Sequence, residues 1–249
     1  MRILVTNDDG IYSPGIAALA EIAARFGDVR IVAPHVEMSS AAHAITATTP
    51  LSYTHTPMPF GDAYRVNGTP ADCVSIGINR WEHVDAVLSG INLGSNLGNA
   101  MWHSGTLAGA RQAALLGVRG IALSTPALEV EPDFAALKPW VATVLERLLP
   151  ASELKLINVN LPPRAPKGVC WTRQSVRHYD GTVVPTKDPL GRPRYWISVT
   201  PIEEVEEGTD RWAMEKDYVS ITPLRLDLTD DEQLRAVRAK NPLDNVLFA

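Results

Sequence analysis

Two cysteines in 249 residues, Cys73 and Cys170, are too few and too far apart for a disulfide framework or a metal-type spacing. They predict reduced thiols in a cytoplasmic protein. Histidine is scarce too: the six residues form no His-x-x-His pair, and no His/Cys cluster argues for structural zinc. Positive charge is not in excess. Lys+Arg 23 against Asp+Glu 28 gives a formal net charge of -5, which disfavours a nonspecific nucleic-acid binder. A polyanionic substrate stays open, because a metal can supply local positive charge. No apolar run approaches the length of a membrane span. A strand that begins at residue 3 leaves no room for a signal peptide. There is no internal repeat and no low-complexity tract.

What the chain does have is alternation. At 45% hydrophobic and 20% charged, it fits one large α/β domain with a substantial core. Ile3-Leu4-Val5 reads as a buried strand. Ser13-Pro14 is a cap followed by proline at the first helical position, and Ile16, Leu19, Ala20, Ile22, Ala23 and Phe26 keep helical spacing up to Gly27. Val29 to Ala33 is the next strand, closed by Pro34. This βαβ unit predicts a parallel sheet with a right-handed crossover. Ala44 to Thr49 and Ala63 to Val66 read as an inserted hairpin. Thr69-Pro70-Ala71-Asp72 starts a helix toward Arg80, with a good cap and an acid in its first turn.

Asp85 to Ser89 is a third core strand, opening into a loop rich in glycine and asparagine over residues 90–99. A helix follows Ser104 and ends near Gly117. Strands at Ile121 to Ser124 and Leu156 to Leu161 flank a helix within residues 131–149, where Pro139 predicts a kink or a late start. Beyond about residue 170 the pattern changes. Tyr195 to Thr200 and Tyr218 to Thr222 alternate with no helix between them, which predicts antiparallel pairing in an arm or an oligomer contact. Thr229-Asp230-Asp231-Glu232 has capping-box form and opens a last helix.

The chemistry lies at strand ends. The first strand ends in Asn7-Asp8-Asp9-Gly10, the second runs into a loop with Ser39-Ser40, and the third into Asn92. In open α/β sheets, ligands collect at the carboxyl ends of strands. Neighbouring side chains of an extended chain face opposite ways. Asp8 and Asp9 can therefore share a ligand only if the chain turns, which Gly10 permits. Every donor in the set is oxygen, as a hard cation such as Mg²⁺ or Mn²⁺ prefers. Singly, these pieces are what a solvated acidic turn and an ordinary loop look like; their repeated placement at strand ends is the informative fact. Ser104-Gly105-Thr106 stands at a helix start, where free backbone N–H groups and hydroxyls suit a phosphate; simple capping is the plain alternative. A lone histidine is ordinarily a surface group, though His103 stands beside Ser104.

These residues strongly resemble the SurE family, the stationary-phase survival protein nucleotidases. The likeness is carried by Asn7-Asp8-Asp9-Gly10, the Ser39 loop, Val66-Asn67-Gly68-Thr69-Pro70-Ala71-Asp72-Cys73-Val74, Ser89-Gly90-Ile91-Asn92 and Ser104-Gly105-Thr106. Ile157-Asn158-Val159-Asn160-Leu161-Pro162 and the stretch from Thr209-Asp210 to Ser220-Ile221-Thr222-Pro223-Leu224 add to it. In that family a glycine usually follows the metal-binding serine, where this chain has Ser40, and glycine tends to stand where Asp217 does.

The resemblance implies a metal-dependent phosphomonoesterase of nucleoside 5′- and 3′-monophosphates, and leaves short polyphosphate open as a further substrate. It implies one divalent ion per subunit, held by Asp8, Asp9, Ser39 and Asn92. With it, the expected fold is Rossmann-like α/β: a mostly parallel sheet with an inserted β-hairpin and a C-terminal β-rich oligomerisation arm. One domain would span 1–249, with its core in 1–163 and the arm and last helix in 164–249. Asn96, Ser104, Gly105 and Thr106 are expected to bind the phosphate, and Asp8, Asn96 and Ser104 to carry catalysis. A homo-oligomer, dimer or tetramer, is expected. Three rivals remain: a phosphatase attacked at phosphorus by Asp8 or Asp9, a noncatalytic nucleotide sensor, and a sugar deacetylase, which would need histidine ligands.

Overall fold

The computed structural model describes residues 1–129, 132–176 and 179–240. The first half runs β1 (Arg2–Thr6), α1 (Pro14–Ala23), β2 (Asp28–Pro34), β3 (Tyr53–His55), β4 (Asp62–Val66), α2 (Pro70–Arg80) and β5 (Ala86–Leu93). A short 3-10 helix, Gly98–Trp102, then leads into α3 (Gly105–Leu115) and β6 (Arg119–Thr125). The rest runs α4 (Phe134–Leu148), β7 (Leu156–Asn160), β8 (Gly168–Trp171), β9 (Tyr179–Lys187), β10 (Pro193–Pro201), α5 (Asp210–Glu215), β11 (Tyr218–Leu224) and α6 (Asp231–Lys240).

A nine-stranded sheet has the order β3-β4-β2-β1-β5-β6-β7-β11-β8. The strands from β4 to β7 in that order are parallel. Its central strands are buried on both faces, so they read as continuous apolar runs. In β1, Ile3 and Val5 enter the core that includes residues of α1 and α4, while Leu4 enters the opposite one with Cys73 and Val74 of α2. The strand order reverses between β1 and β5. A crevice opens at the carboxyl ends of strands where such a reversal occurs, and Asp8 and Asn92 come from these two strand ends.

Several expected elements shift. The predicted hairpin pairs β3 with β4, and Ala44 to Thr49 forms no strand. The Thr46 amide and hydroxyl donate to the Asp72 carboxylate at 2.9 and 2.7 Å, so they are spent on the capping box of α2 rather than on a ladder. Helix α1 stops at Ala23 short of Phe26, because its last amides tighten: Arg25 donates to Ile22 and Phe26 to Ala23. Helix α4 starts well before Pro139, since the Asp133 carboxylate caps it through the Ala135 and Ala136 amides. Helix α6 is capped by Asp230, which accepts from the Gln233 amide at 2.9 Å, and not by Thr229.

The largest correction concerns the sheet, which does not end at Leu161. Strand β11 pairs antiparallel with β7, and β8 pairs with β11. Tyr218 to Thr222 is thus an inner strand of the main sheet, not a partner of Tyr195 to Thr200. The partner of β10 is β9, and the two form a separate antiparallel ribbon. Residue 131, the first of the span given to the fourth helix, and residues 241–249 of the proposed C-terminal segment lie outside the described residues.

Candidate active site

At the tip of β1, the buried Asn7 amide donates to the Gly10 carbonyl at 3.0 Å and to Ser13 Oγ at 2.7 Å. These bonds close the turn and tie it to the cap of α1. Gly10 takes φ +96°, where a Cβ would also press on the Val36 carbonyl carbon at 3.3 Å. The turn brings both carboxylates to one strand end. Asp8 is 3% exposed. Its Oδ1 accepts the Thr106 hydroxyl at 2.7 Å, and the Thr106 amide donates to it as well. Burial still pushes the Asp8 carboxyl above the usual range. Asp9 accepts from the Leu93 amide, but its Oδ2 is shut from solvent with no hydrogen-bond partner. Burial first, and the Asp8 charge second, raise its pKa to about 6. A cation between them would return both carboxyls to the ionised form.

The neighbouring strand ends complete the set. After β2, the Met38 amide donates to the Asp8 carbonyl at 2.7 Å. The exposed Ser39 hydroxyl donates to Glu37 Oε1 at 2.6 Å. Ser40 and Ala42 take φ 62° and 52°, the left-handed region that suits glycine. At the end of β5, the Asn92 amide nitrogen donates to the Gly94 carbonyl at 2.6 Å, which orients the side chain and leaves its oxygen as the acceptor. Asp8, Ser39, Asn92, Asn96, His103 and Ser104 line one cavity of about 510 Å³; Asp9 is not in its wall. Ile197 of the β9–β10 ribbon lines it too. Among the described residues, no three His, Cys, Asp or Glu side chains converge. Asp8, Ser39 and Asn92 offer the cavity a carboxylate, a hydroxyl and an amide, all through oxygen, and the Asp9 carboxylate stands beside Asp8.

Across the cavity stands the N-terminus of α3. Ser104 caps it by accepting from the Leu107 amide at 3.0 Å, which leaves the hydroxyl hydrogen to donate. A Cβ on Gly105 would lie 2.8 Å from Asp8 Cβ and Oδ2, so glycine is what lets the helix approach the carboxylate. Thr106 is 0% exposed and gives its hydroxyl hydrogen to Asp8 rather than to the cavity. Asn96 lines the cavity, but its amide nitrogen donates to Ser124 Oγ at 2.8 Å and Thr106 Oγ1 at 3.4 Å. Its backbone is gripped from β7: Asn160 Oδ1 accepts from the Asn96 amide, and Asn158 and Asn160 donate to its carbonyl. The reading of the residues did not assign roles to Ser124, Asn158, Asn160 or Glu37. The signal for the asparagines was there: two polar residues, two apart on one face of an otherwise apolar strand.

A family described as "Survival protein SurE" matches residues 3–181. The 5'-nucleotidase SurE 1 of Thermus thermophilus is 47% identical over 244 residues, 95% of this chain and 96% of that protein. The 5'-nucleotidase SurE of Deinococcus radiodurans is 42% identical over 238 residues, 92% of this chain and 88% of its own. The crystal structure of the SurE protein from Aquifex aeolicus superposes with a TM-score of 0.84 at 38% identity, covering 96% of this chain and 99% of that one.

Proposed function

Because the chain belongs to the SurE family, we propose that it hydrolyses nucleoside 5′-monophosphates to nucleoside and phosphate, with a divalent cation. One observation carries the metal reading: Asp9 keeps a buried, unpartnered oxygen beside the buried Asp8, which itself lines a cavity faced by a helix N-terminus. The residues present fit a hard cation. Asp8, Asp9, Ser39 and Asn92 would hold Mg²⁺ or Mn²⁺ through oxygen. When bound, the ion supplies positive charge to the phosphoryl oxygens and makes water more acidic.

The chain does the rest. Asp8 orients the attacking water, with its carboxylate fixed by the hydroxyl and amide of Thr106. The Ser104 hydroxyl and the Gly105 N–H hold phosphoryl oxygens at the positive end of α3. Asn96 keeps Thr106 in place. The water oxygen bonds to phosphorus while the bond to the ribose oxygen breaks, and one proton of the water ends on the ribose oxygen, giving the nucleoside hydroxyl and phosphate. Nucleoside 3′-monophosphates and short polyphosphate present the same terminal phosphoryl group, and we include them as substrates. We also propose a cytoplasmic homo-oligomer, dimer or tetramer. Free thiols at Cys73 and Cys170 support the compartment. Among the described residues, no helix is long and apolar enough to cross a membrane.

Phosphate release from 5′- and 3′-monophosphates and tripolyphosphate, in Mn²⁺, Mg²⁺ or excess chelator, tests the reading. Activity should require the ion and return with it. Full activity in excess chelator overturns the metal. Binding of nucleotides without release of phosphate from any of them overturns the hydrolase. A phosphorylated aspartate trapped on acid quench would replace attack by water with attack by Asp8 or Asp9.

A further inference from the structure

Ser39 is the weakest donor in the set, a neutral hydroxyl on an exposed loop. A hydroxyl has one hydrogen and two lone pairs. To face a cation it must turn its lone pairs in and its hydrogen away. The bond from Ser39 Oγ to Glu37 Oε1, at 2.6 Å, arranges this. That length is typical of a hydroxyl bonded to an ionised carboxylate, about twice as strong as a neutral pair. The pair is in register with the carboxylates, because Met38, between the two residues, donates its amide to the Asp8 carbonyl.

Glu37 itself has no cationic partner among the described residues. It sits close enough to Asp8 and Asp9 for its charge to oppose the ionisation of both. Gathering a third like charge beside two buried carboxylates is unfavourable in itself. The placement makes sense if Glu37 serves what the pair binds. It does not complete a three-acid cluster, so it stands behind a ligand rather than among them.

Resting on the metal reading above, we propose that Glu37 is a positioning residue for the divalent cation: it holds the Ser39 hydroxyl with its lone pairs toward Asp8 and Asp9. Its charge adds a longer-range attraction that salt screens. The same charge repels a phosphate. Glu37 therefore acts in opposite directions on the two partners, strengthening the cation and weakening the anionic substrate.

Calorimetric titration of Mn²⁺ into the metal-free full-length protein tests this. Outer partners of metal ligands typically contribute about ten- to a hundredfold in affinity. Glu37→Ala should weaken Mn²⁺ by about tenfold, at the low end of that range because the pair is exposed. Glu37→Gln keeps an acceptor for Ser39 and should lose only the charge, about threefold, with the loss vanishing at high salt. In a Ser39→Ala background, Glu37→Ala should cost about threefold, since its hydrogen-bonded partner is already gone. At saturating Mn²⁺, Glu37→Gln should lower the KM for nucleotide. Thermal unfolding of the metal-free Glu37 variants should not fall below wild type, as the side chain is exposed and its loss removes a like charge from Asp8 and Asp9. Wild-type binding with unchanged affinity in Glu37→Ala overturns the inference alone, as do losses that multiply fully in the double variant. A wild type that takes up no Mn²⁺ overturns the metal reading and the inference with it.

Discussion

Thr106→Val separates a capping role from a role on the carboxylate. Valine keeps the shape of threonine and removes one hydroxyl. That hydroxyl is 0% exposed and donates to Asp8 Oδ1 at 2.7 Å. No water can replace it at a site this closed. A hydrogen bond to a charged group contributes about 1.5–3 kcal/mol, so the metal-free protein should lose about 2 kcal/mol where Asp8 is ionised. The sign of the pH dependence follows. The hydroxyl favours the ionised carboxylate, while burial already holds the Asp8 carboxyl above its usual range. Removing the hydroxyl raises that carboxyl further, so the loss is present at high pH and fades in acid, where Asp8 is neutral in both proteins. Urea unfolding across a pH series, from alkaline pH down into acid, measures the difference. Thr106→Ser keeps the hydroxyl and loses a methyl, about 1 kcal/mol at every pH. In turnover, a misaligned Asp8 should lower kcat/KM by up to about thirtyfold. The reasoning fails if Thr106→Val is equally destabilised across the whole pH series, or if Thr106→Ser shows the same pH dependence.

Asp9 moves from 3.8 to about 6 in the fold, so the folded metal-free chain keeps a proton that the unfolded chain has lost. The stability this gives is complete below about pH 4 and is lost as pH rises through about 6, at most about 3 kcal/mol before solvent screening. Asp9→Asn should therefore raise the urea midpoint of metal-free protein at about pH 8 while abolishing metal-dependent turnover; a lower midpoint contradicts this. Ser40→Gly and Ala42→Gly act at φ 62° and 52°. Relief of the left-handed strain, about 1–2 kcal/mol, exceeds the extra freedom glycine gives the unfolded chain, about 0.4–1 kcal/mol. The Tm should rise in each, and a fall in both would remove the strain argument. The β9–β10 ribbon exposes Trp196 at 68% and Ile197 at 82%, more apolar surface than a two-stranded ribbon holds stably by itself in water. Light scattering should find at least a dimer, and Trp196→Lys with Ile197→Lys should dissociate it; intact protein that is monomeric at micromolar concentration refutes the contact.

The parallel core was legible because burial on both faces leaves a plain mark. Strands β1, β2, β5, β6 and β7 are apolar runs, and Ser13, Thr69 and Ser104 each stand at the N-cap their helices use. Strand β11 misled for the opposite reason. Tyr218, Ser220 and Thr222 alternate with apolar residues as if one face met water. That face is buried: the hydroxyls of Ser220 and Thr222 both bond to Thr172 Oγ1 at 2.8 Å. Alternation reports that a face is polar. Whether water or another side chain satisfies it depends on residues far along the chain. Strand β9 carries Gly181 and Pro185, and its partner lies across a turn near Gly191. Its Thr182, Val183, Val184 and Thr186 favour a strand, but Gly181 and Pro185 interrupt the signal.

The same limit divides the candidate site. Its metal side rests on local grammar: carboxylates at a strand end, a glycine that permits the turn, and oxygen donors at successive strand ends. Its phosphate side does not. Ser104, Thr106 and Asn96 are all polar residues near a helix start, and spacing alone cannot say which still has a hydrogen to give. Thr106 spends its hydroxyl on Asp8, and Asn96 spends its amide on Ser124 and Thr106. Each hydroxyl carries a single proton. Once Thr106 has donated to Asp8, the Ser104 hydroxyl and the N–H groups of the helix end are the ones the proposed reaction would leave for a phosphate. In the reaction proposed above, the carboxylate and the substrate would share the positive end of α3. Glycine at position 105 lets that end come so close to the carboxylate, since any Cβ there would press on Asp8.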